Sequence, residues 1–208
     1  MADYTVYGYR ESGSAAIEVA LVAANIPFTF HDLDAENGAL ETVEFRTINP
    51  RGQVPAVMHP DGSIITEVPA ILNHFADAFP ESGLAPAPGS SARAQHDRWL
   101  AFLHANVYEA VLRYFYTDRY TDDSASVPAV QSAAKSYISR HLALFGDAIA
   151  KGPFLFGDQP YNVDYLAWTL TTWLDPELVQ SSSPAVARLA QALATHPGLE
   201  EVVALNTE

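Results

Sequence analysis

An α/β domain of order βαβαββα followed by an all-α domain is the architecture that this sequence predicts. Three observations carry it. Residues 1–80 alternate between short strand and helix signals. Residues 81–91 are rich in Pro, Gly, Ser and Ala, with Pro86, Pro88 and Gly89, and read as a linker. From 92 to 208 no segment reads as a strand, and apolar residues recur at helical spacing. The chain has 208 residues, 49% of them hydrophobic, enough for a normal core in one domain or two small ones.

Each element has its own signal. Residues 5–9, Thr-Val-Tyr-Gly-Tyr, are a β-rich run. After Ser12-Gly13-Ser14, residues 15–24 are apolar with helical spacing, and Asn25-Ile26-Pro27 stops that helix. Residues 28–33 read as a second strand and 40–47 as a polar helix. Strands near 55–59 and 62–66 flank the hairpin signal Pro60-Asp61-Gly62. A helix over 67–79 closes the unit. This βαβ-then-ββα order gives a small mixed sheet with a right-handed crossover, the order of a thioredoxin-like domain. Past the linker, 92–120 reads as one long helix with Trp99, Phe102, Leu103, Val107, Val111 and Phe115 on a buried stripe. A polar break at 121–128 precedes a second long helix over 130–150. Residues 152–158 form a loop. A central apolar helix covers 162–174, and short helices cover 184–194 and 198–205.

Composition excludes several function classes. The net charge is −14, from 25 acids and 11 bases. Binding to nucleic acid or to an anionic membrane needs clustered Lys and Arg, so neither is an expected partner. There are no cysteines, which removes disulfides, zinc–thiolate sites and cysteine redox chemistry together. The absence fits a reducing compartment. The residues from Met1 to Thr5 carry no basic stretch followed by an apolar one, so no signal peptide is expected. No apolar run reaches about 18 residues, so no membrane span is expected. The seven histidines show no metal-ligand spacing, and no metal is expected. No Gly-x-Ser-x-Gly elbow and no dinucleotide fingerprint is present.

The segment Asn49-Pro50-Arg51-Gly52-Gln53-Val54-Pro55, followed by Thr66-Glu67, carries the chemistry. Proline opening a strand cannot donate to the ladder, and it suits a cis bond and a strand whose outer backbone stays open to pair an extended peptide. Glu67 in the first turn of a helix has two readings: favourable placement on the helix dipole, or a ligand contact beside that open strand. The corner suits a small peptide-like molecule carrying an amine and a carboxylate. Ser12 and Ser14, in the first turn after strand one, also have two readings. One is a helix cap; the other is a hydroxyl aimed at a ligand thiolate. The aromatics Tyr108, Tyr114, Phe115, Tyr116 and Tyr120 cannot all share one buried helix face, so some line an apolar pocket. Tyr9 and Arg10 border, from the first domain, the apolar pocket that these aromatics of the second domain line.

These residues resemble the cytosolic glutathione transferase family, of serine-type, bacterial-like members. The resemblance rests on the Asn49-to-Pro55 segment, the domain order and the helical second domain, and it covers nearly the whole chain. The loop Phe154-Leu155-Phe156-Gly157-Asp158 leading to Val163-Asp164 also resembles the buried capping Asp of the family's central helix. The resemblance implies a cytoplasmic homodimer in detoxification that uses glutathione as co-substrate on a small hydrophobic electrophile, without a metal. Pro55 would be cis, Val54 would pair with the cysteinyl backbone, Gln53 and Glu67 would hold the γ-glutamyl end, and Thr66 or a backbone N–H would compensate for a donor missing there. Ser12 would stabilise the thiolate, with Ser14 as the alternative and Tyr9 in reserve. Arg10, Tyr108, Tyr114 and Phe115 would line the electrophile pocket. Two positions depart from the family pattern. The serine expected after the glutamate is Val68, which removes a donor to the γ-glutamyl carboxylate. The helix-capping position before Asp164 is Tyr161, so Asn162 takes part of the capping role. The alternatives are a glutathione-dependent isomerase, an ether-cleaving or dehalogenating enzyme, and a non-catalytic binding or scaffold protein on the same fold.

Overall fold

The computed structural model describes residues 4–149 and 152–207. The expected end of the second long helix at Ala150, and the Met1-to-Asp3 start of the segment read for a signal peptide, lie outside them. The chain divides into two compact units. The first runs up to Pro88 and includes the residues from Ala194 on; the second is Gly89–Leu193. The linker signal at 81–91 assigns all of 92–208 to the helical domain. The structure instead packs the end of the chain onto the first unit, because Val202 and Val203 need an apolar surface to bury against.

The first unit follows the expected βαβαββα order: β1 (Tyr4–Gly8), α1 (Ser14–Ala23), β2 (Phe28–Asp32), α2 (Val43–Ile48), β3 (Ala56–Met58), β4 (Ile64–Thr66) and α3 (Val68–Ala78). Two short 3₁₀ turns, Ala35–Asn37 and Ala39–Glu41, occupy the start of the stretch expected to be helical from 40. Thr42 caps α2 by accepting the Phe45 N–H, so the helix starts later than its polar pattern suggests. The sheet order is β2-β1-β3-β4, with β1 and β2 parallel and the other pairs antiparallel. Helix α1 is buried on every side from Ser14 to Leu21, which explains its nearly all-apolar sequence. Val6, Ile17, Leu21, Val57, Ile71, Leu72 and Phe75 form the core beneath the sheet.

The second unit is helical: α4 (Ser91–Phe102), α5 (Glu109–Phe115), α6 (Val127–Gly146), α7 (Asn162–Thr172), α8 (Pro176–Ser182) and most of α9 (Pro184–Ala194). Helix α10 (Glu200–Ala204) belongs to the first unit. The helix expected over 92–120 is not one regular helix. A π-helical stretch, Leu103–Tyr108, joins α4 to α5, and the helix stops at Phe115. The wider π turn keeps Trp99, Leu103, Val107 and Val111 inside at four-residue spacing. Phe115, one step further on, is 53% exposed instead of buried as predicted. Helix α8 was not anticipated; Asp175 caps it through the Glu177 N–H and Pro176 opens it. Asp164 on α7 is fully buried, and its carboxylate accepts the N–H groups of Leu155 and Tyr161, each at 2.9 Å. Tyr161 is the cap residue and Asn162 the first helical one. Among the described residues no helix is long and apolar enough to cross a membrane.

Candidate functional site

Strand register gathers the sequence-predicted residues of the first unit at one end of the sheet. Ala56 is the pivot: it pairs with Tyr7 on β1 and with Thr66 on β4. The Tyr9–Ser14 turn leaves β1 at that end. Gln53, Val54 and Pro55 enter β3 there, and Thr66 hands over to Glu67 and α3 there. Val54 lies two residues outside the ladder, and its peptide bond to Pro55 is cis. Two helix N-termini, those of α1 and α3, open at the same end and favour anionic ligand groups.

The approach to Pro55 is a stiff turn. Asn49 is buried; its Nδ2 donates to the Gln53 carbonyl at 2.6 Å and its Oδ1 accepts the Arg51 N–H at 3.1 Å. Gly52 has φ +61°, and a Cβ there would sit 2.9 Å from the Leu40 carbonyl, so glycine is required twice over. Arg51 pairs with Glu67 across the corner at 2.7 Å, both side chains being largely exposed. Glu67 holds φ +70°, a conformation that costs a non-glycine residue about 1–3 kcal/mol and collects at ligand-holding positions. Val68 is buried as the first residue of α3, and Pro69, which has no N–H, follows it. The side chain that opens the helix is therefore apolar and carries no hydroxyl.

The serine turn is packed more tightly than its sequence suggests. Ser14 begins α1 and is fully buried, with its Cβ and Oγ within 2.4 Å of where a Cβ on Gly8 would lie; only glycine fits there. Ser12 Oγ lies 2.6 Å from the Tyr9 carbonyl and Ser14 Oγ 2.9 Å from the same oxygen, while the two hydroxyl oxygens are 2.8 Å apart. Two hydroxyl protons can satisfy only two of these three contacts at once. Ser12 Oγ also accepts the Ser14 N–H at 3.3 Å, so the capping reading and the ligand reading of Ser12 are compatible. Tyr9 contributes its carbonyl to this cluster. Tyr7 packs within the unit against His31 and Phe45. Arg10 pairs with the buried Glu18 and stacks 4.3 Å above the Phe30 ring.

The residues expected to line a pocket divide between the units. Arg10 belongs to the first. In the second, Tyr114 and Phe115 line a cavity of about 200 Å³ together with Lys135, Ile138, Trp173 and Asp175. Tyr108 packs edge-on against Trp173 at 5.2 Å. Sequence reasoning missed Arg51, Glu18 and Trp173. Their partners lie 16, 8 and tens of residues away, and no local pattern announces such pairs. Among the described residues no group of three His, Cys, Asp or Glu side chains is arranged to hold a metal.

Comparison with known proteins gives consistent results. The model of the glutathione S-transferase N-terminal domain matches residues 2–77. The chain is 31% identical, over 97% of both sequences, to the uncharacterized GST-like protein YncG of Escherichia coli K12. Among solved structures, a glutathione transferase homologue from Sulfitobacter with bound glutathione superposes with a TM-score of 0.88, at 23% identity and 97% coverage of each chain. A sphingomonad glutathione S-transferase complexed with glutathione gives a TM-score of 0.79 at 27% identity, with 96% of this chain and 97% of that one covered.

Proposed function

The chain belongs to the glutathione transferase family, and on that premise we propose that it binds glutathione at the sheet end marked by Ala56 and activates its thiol for attack on a small hydrophobic electrophile. The observation that carries the reading is the spare proton at Ser12. The fully buried Ser14 can keep the Tyr9 carbonyl satisfied by itself. The Ser12 hydroxyl can then turn to a ligand sulfur and leave no buried group unpaired. A free thiol has a pKa of about 8.5 and is only a few per cent ionised at neutral pH. A hydroxyl donor and the N-terminus of α1 both favour the thiolate.

The remaining contacts follow from chemistry already in place. Val54 offers backbone N–H and C=O to an extended peptide. Gln53, Thr66 and the Glu67–Arg51 pair present opposite charges to the γ-glutamyl amine and carboxylate. The thiol proton leaves to solvent, and the sulfur lone pair forms a bond to the electrophilic carbon. In a substitution the leaving group departs with its bonding electrons; in a conjugate addition the displaced electron pair takes a proton from water. Tyr114 and Phe115, at the cavity of the second unit, and Tyr108, packed on Trp173, are the proposed contacts for a small hydrophobic electrophile. We assign the protein a detoxifying role in the cytoplasm and a homodimeric assembly, which light scattering at micromolar concentration checks.

Calorimetric titration with reduced glutathione near neutral pH tests the reading. Binding in the micromolar to low-millimolar range, followed by conjugate formation with an electrophile panel, is the expected result. Glutathione recovered unchanged while a substrate rearranges would assign isomerisation instead. The absence of binding at tens of millimolar would assign a scaffold role, with Val68 as its cause.

A further inference from the structure

We propose that Asn206, in the turn following α10, is a positioning residue that holds the Ser12 loop in its working shape. The inference rests on the glutathione-activating reading of Ser12 for its catalytic consequence, but not for its structural part.

The loop between β1 and α1 needs an external anchor. Glu11 sits at φ +60°, a left-handed conformation that a glutamate adopts only where its surroundings dictate it. Asn206, fully buried, supplies such surroundings. Its Oδ1 accepts the Glu11 N–H at 3.2 Å, while its Nδ2 donates to Glu18 Oε2 at 3.2 Å and to the Val202 carbonyl at 3.0 Å. The amide orientation is fixed, because one side faces an N–H donor and the other faces two acceptors. Glu18, buried on α1, takes Arg10 on its other oxygen. The side chain of Arg10 and the backbone of Glu11 are thus both tied to one Asn–Glu pair. Tyr9, on one side of them, aims its carbonyl at the hydroxyl of Ser12, on the other. If the Glu11 anchor is released, the turn that sets the Tyr9–Ser12 geometry loses the contact that compensates its strained φ.

Three variants of the full chain test this. Asn206→Ala should increase hydrogen exchange of the segment from Tyr9 to Ser14 and leave the segment from Asn49 to Pro55 unchanged. It should lower kcat about tenfold to a hundredfold with the KM for glutathione unchanged, because misplacing one catalytic group harms the reaction and not the binding contacts. Asn206→Asp sets two carboxylates face to face and should behave the same way. Adding Glu18→Gln to Asn206→Asp exchanges donor and acceptor across the pair. The amide introduced on α1 can donate to the carboxylate introduced after α10 and still face Arg10 with its oxygen. That double variant should recover part of the exchange protection and kcat lost in Asn206→Asp, because the Val202 carbonyl still lacks its donor; a merely space-filling role for Asn206 predicts no recovery. Unchanged exchange at Tyr9–Ser14 in Asn206→Ala, or no gain of the double variant over Asn206→Asp, overturns the proposal. Loosened exchange in a protein whose wild type binds no glutathione would retain the anchor, overturn its catalytic role, and count against the reading of Ser12.

Discussion

Around Ser12 two hydroxyl protons serve three oxygen–oxygen contacts, and this decides how the two serines differ on substitution. Ser12→Ala removes the donor proposed for the thiolate and should lower kcat about a hundredfold, with glutathione binding nearly intact. Ser14→Ala should cost less. The Tyr9 carbonyl then has only the Ser12 proton to draw on, and that proton is shared with the sulfur. Equal activity in Ser12→Ala would transfer the role to Ser14 or Tyr9; single-turnover kinetics beside a binding titration separate these outcomes. Val68 raises the opposite question. Val68→Ser restores a hydroxyl at the N-terminus of α3 and should tighten glutathione binding about tenfold, the worth of one hydrogen bond to a charged group. Because Val68 is buried, the same change removes apolar contacts and should lower stability by about 1–2 kcal/mol. Tighter binding combined with a lower melting temperature is the expected pair of results. Unchanged affinity would mean that the backbone of α3 already satisfies the carboxylate.

Helices α4 and α7 each carry a fully buried titratable group. His96 on α4 is fully buried, with Nδ1 2.8 Å from Asp97 and its ring edge-on to Tyr161, the cap residue of α7. Burial lowers its pKa below the usual value, against the opposing pull of Asp97. The unfolded chain therefore binds a proton that the folded one refuses. Stability contributed by neutral His96 is complete above about pH 6.5 and declines as the pH falls below it. His96→Phe, which keeps an aromatic ring and removes the titration, should flatten the acid side of the stability profile by up to about 1.4 kcal/mol per pH unit. Denaturant titrations at pH 5 and pH 7 read this directly, and parallel profiles for wild type and variant would exclude His96 as the cause. Asp164 behaves differently. Burial pushes its carboxyl up to about 7 despite two N–H donors. Asp164→Ala orphans the Leu155 and Tyr161 N–H groups together and should cost about 3 kcal/mol, measured by the same titrations. At this scale the sequence was readable where a local pattern ran uninterrupted. Helices α1, α3, α6 and α7 were found within a few residues, as was the hairpin at Asp61-Gly62. It was unreadable where geometry depends on packing: the π turn at Leu103–Tyr108 changes the burial of Phe115 without any breaker residue, and α10 reads as one more helix of the second domain although it buries on the first unit.

The charge of the whole chain acts on its proposed co-substrate. Glutathione carries two carboxylates and one amine and is an anion at neutral pH, while the protein carries a net −14. At the proposed site Arg51 and the two helix N-termini, gathered by the register of Ala56, oppose that field. The candidate corner was legible as Asn49-to-Pro55 and Glu67, because a proline entering a strand and an acid opening a helix are local chemistry. Arg51 was not, because only the fold brings it 2.7 Å from Glu67. Long-range repulsion and short-range attraction respond differently to salt. At low ionic strength the Debye length is about 30 Å, comparable to the size of a domain, and the net charge of the molecule is felt throughout the approach. At physiological ionic strength it falls to about 8 Å, which screens the distant acids while the contact pair in the site remains. Raising salt from roughly 10 mM to 150 mM should therefore speed glutathione association and lower its apparent Kd. Stopped-flow binding across that range makes the measurement. Association that slows with salt would show that Arg51 and the helix termini dominate the field, and Arg51→Gln should then reverse the slope.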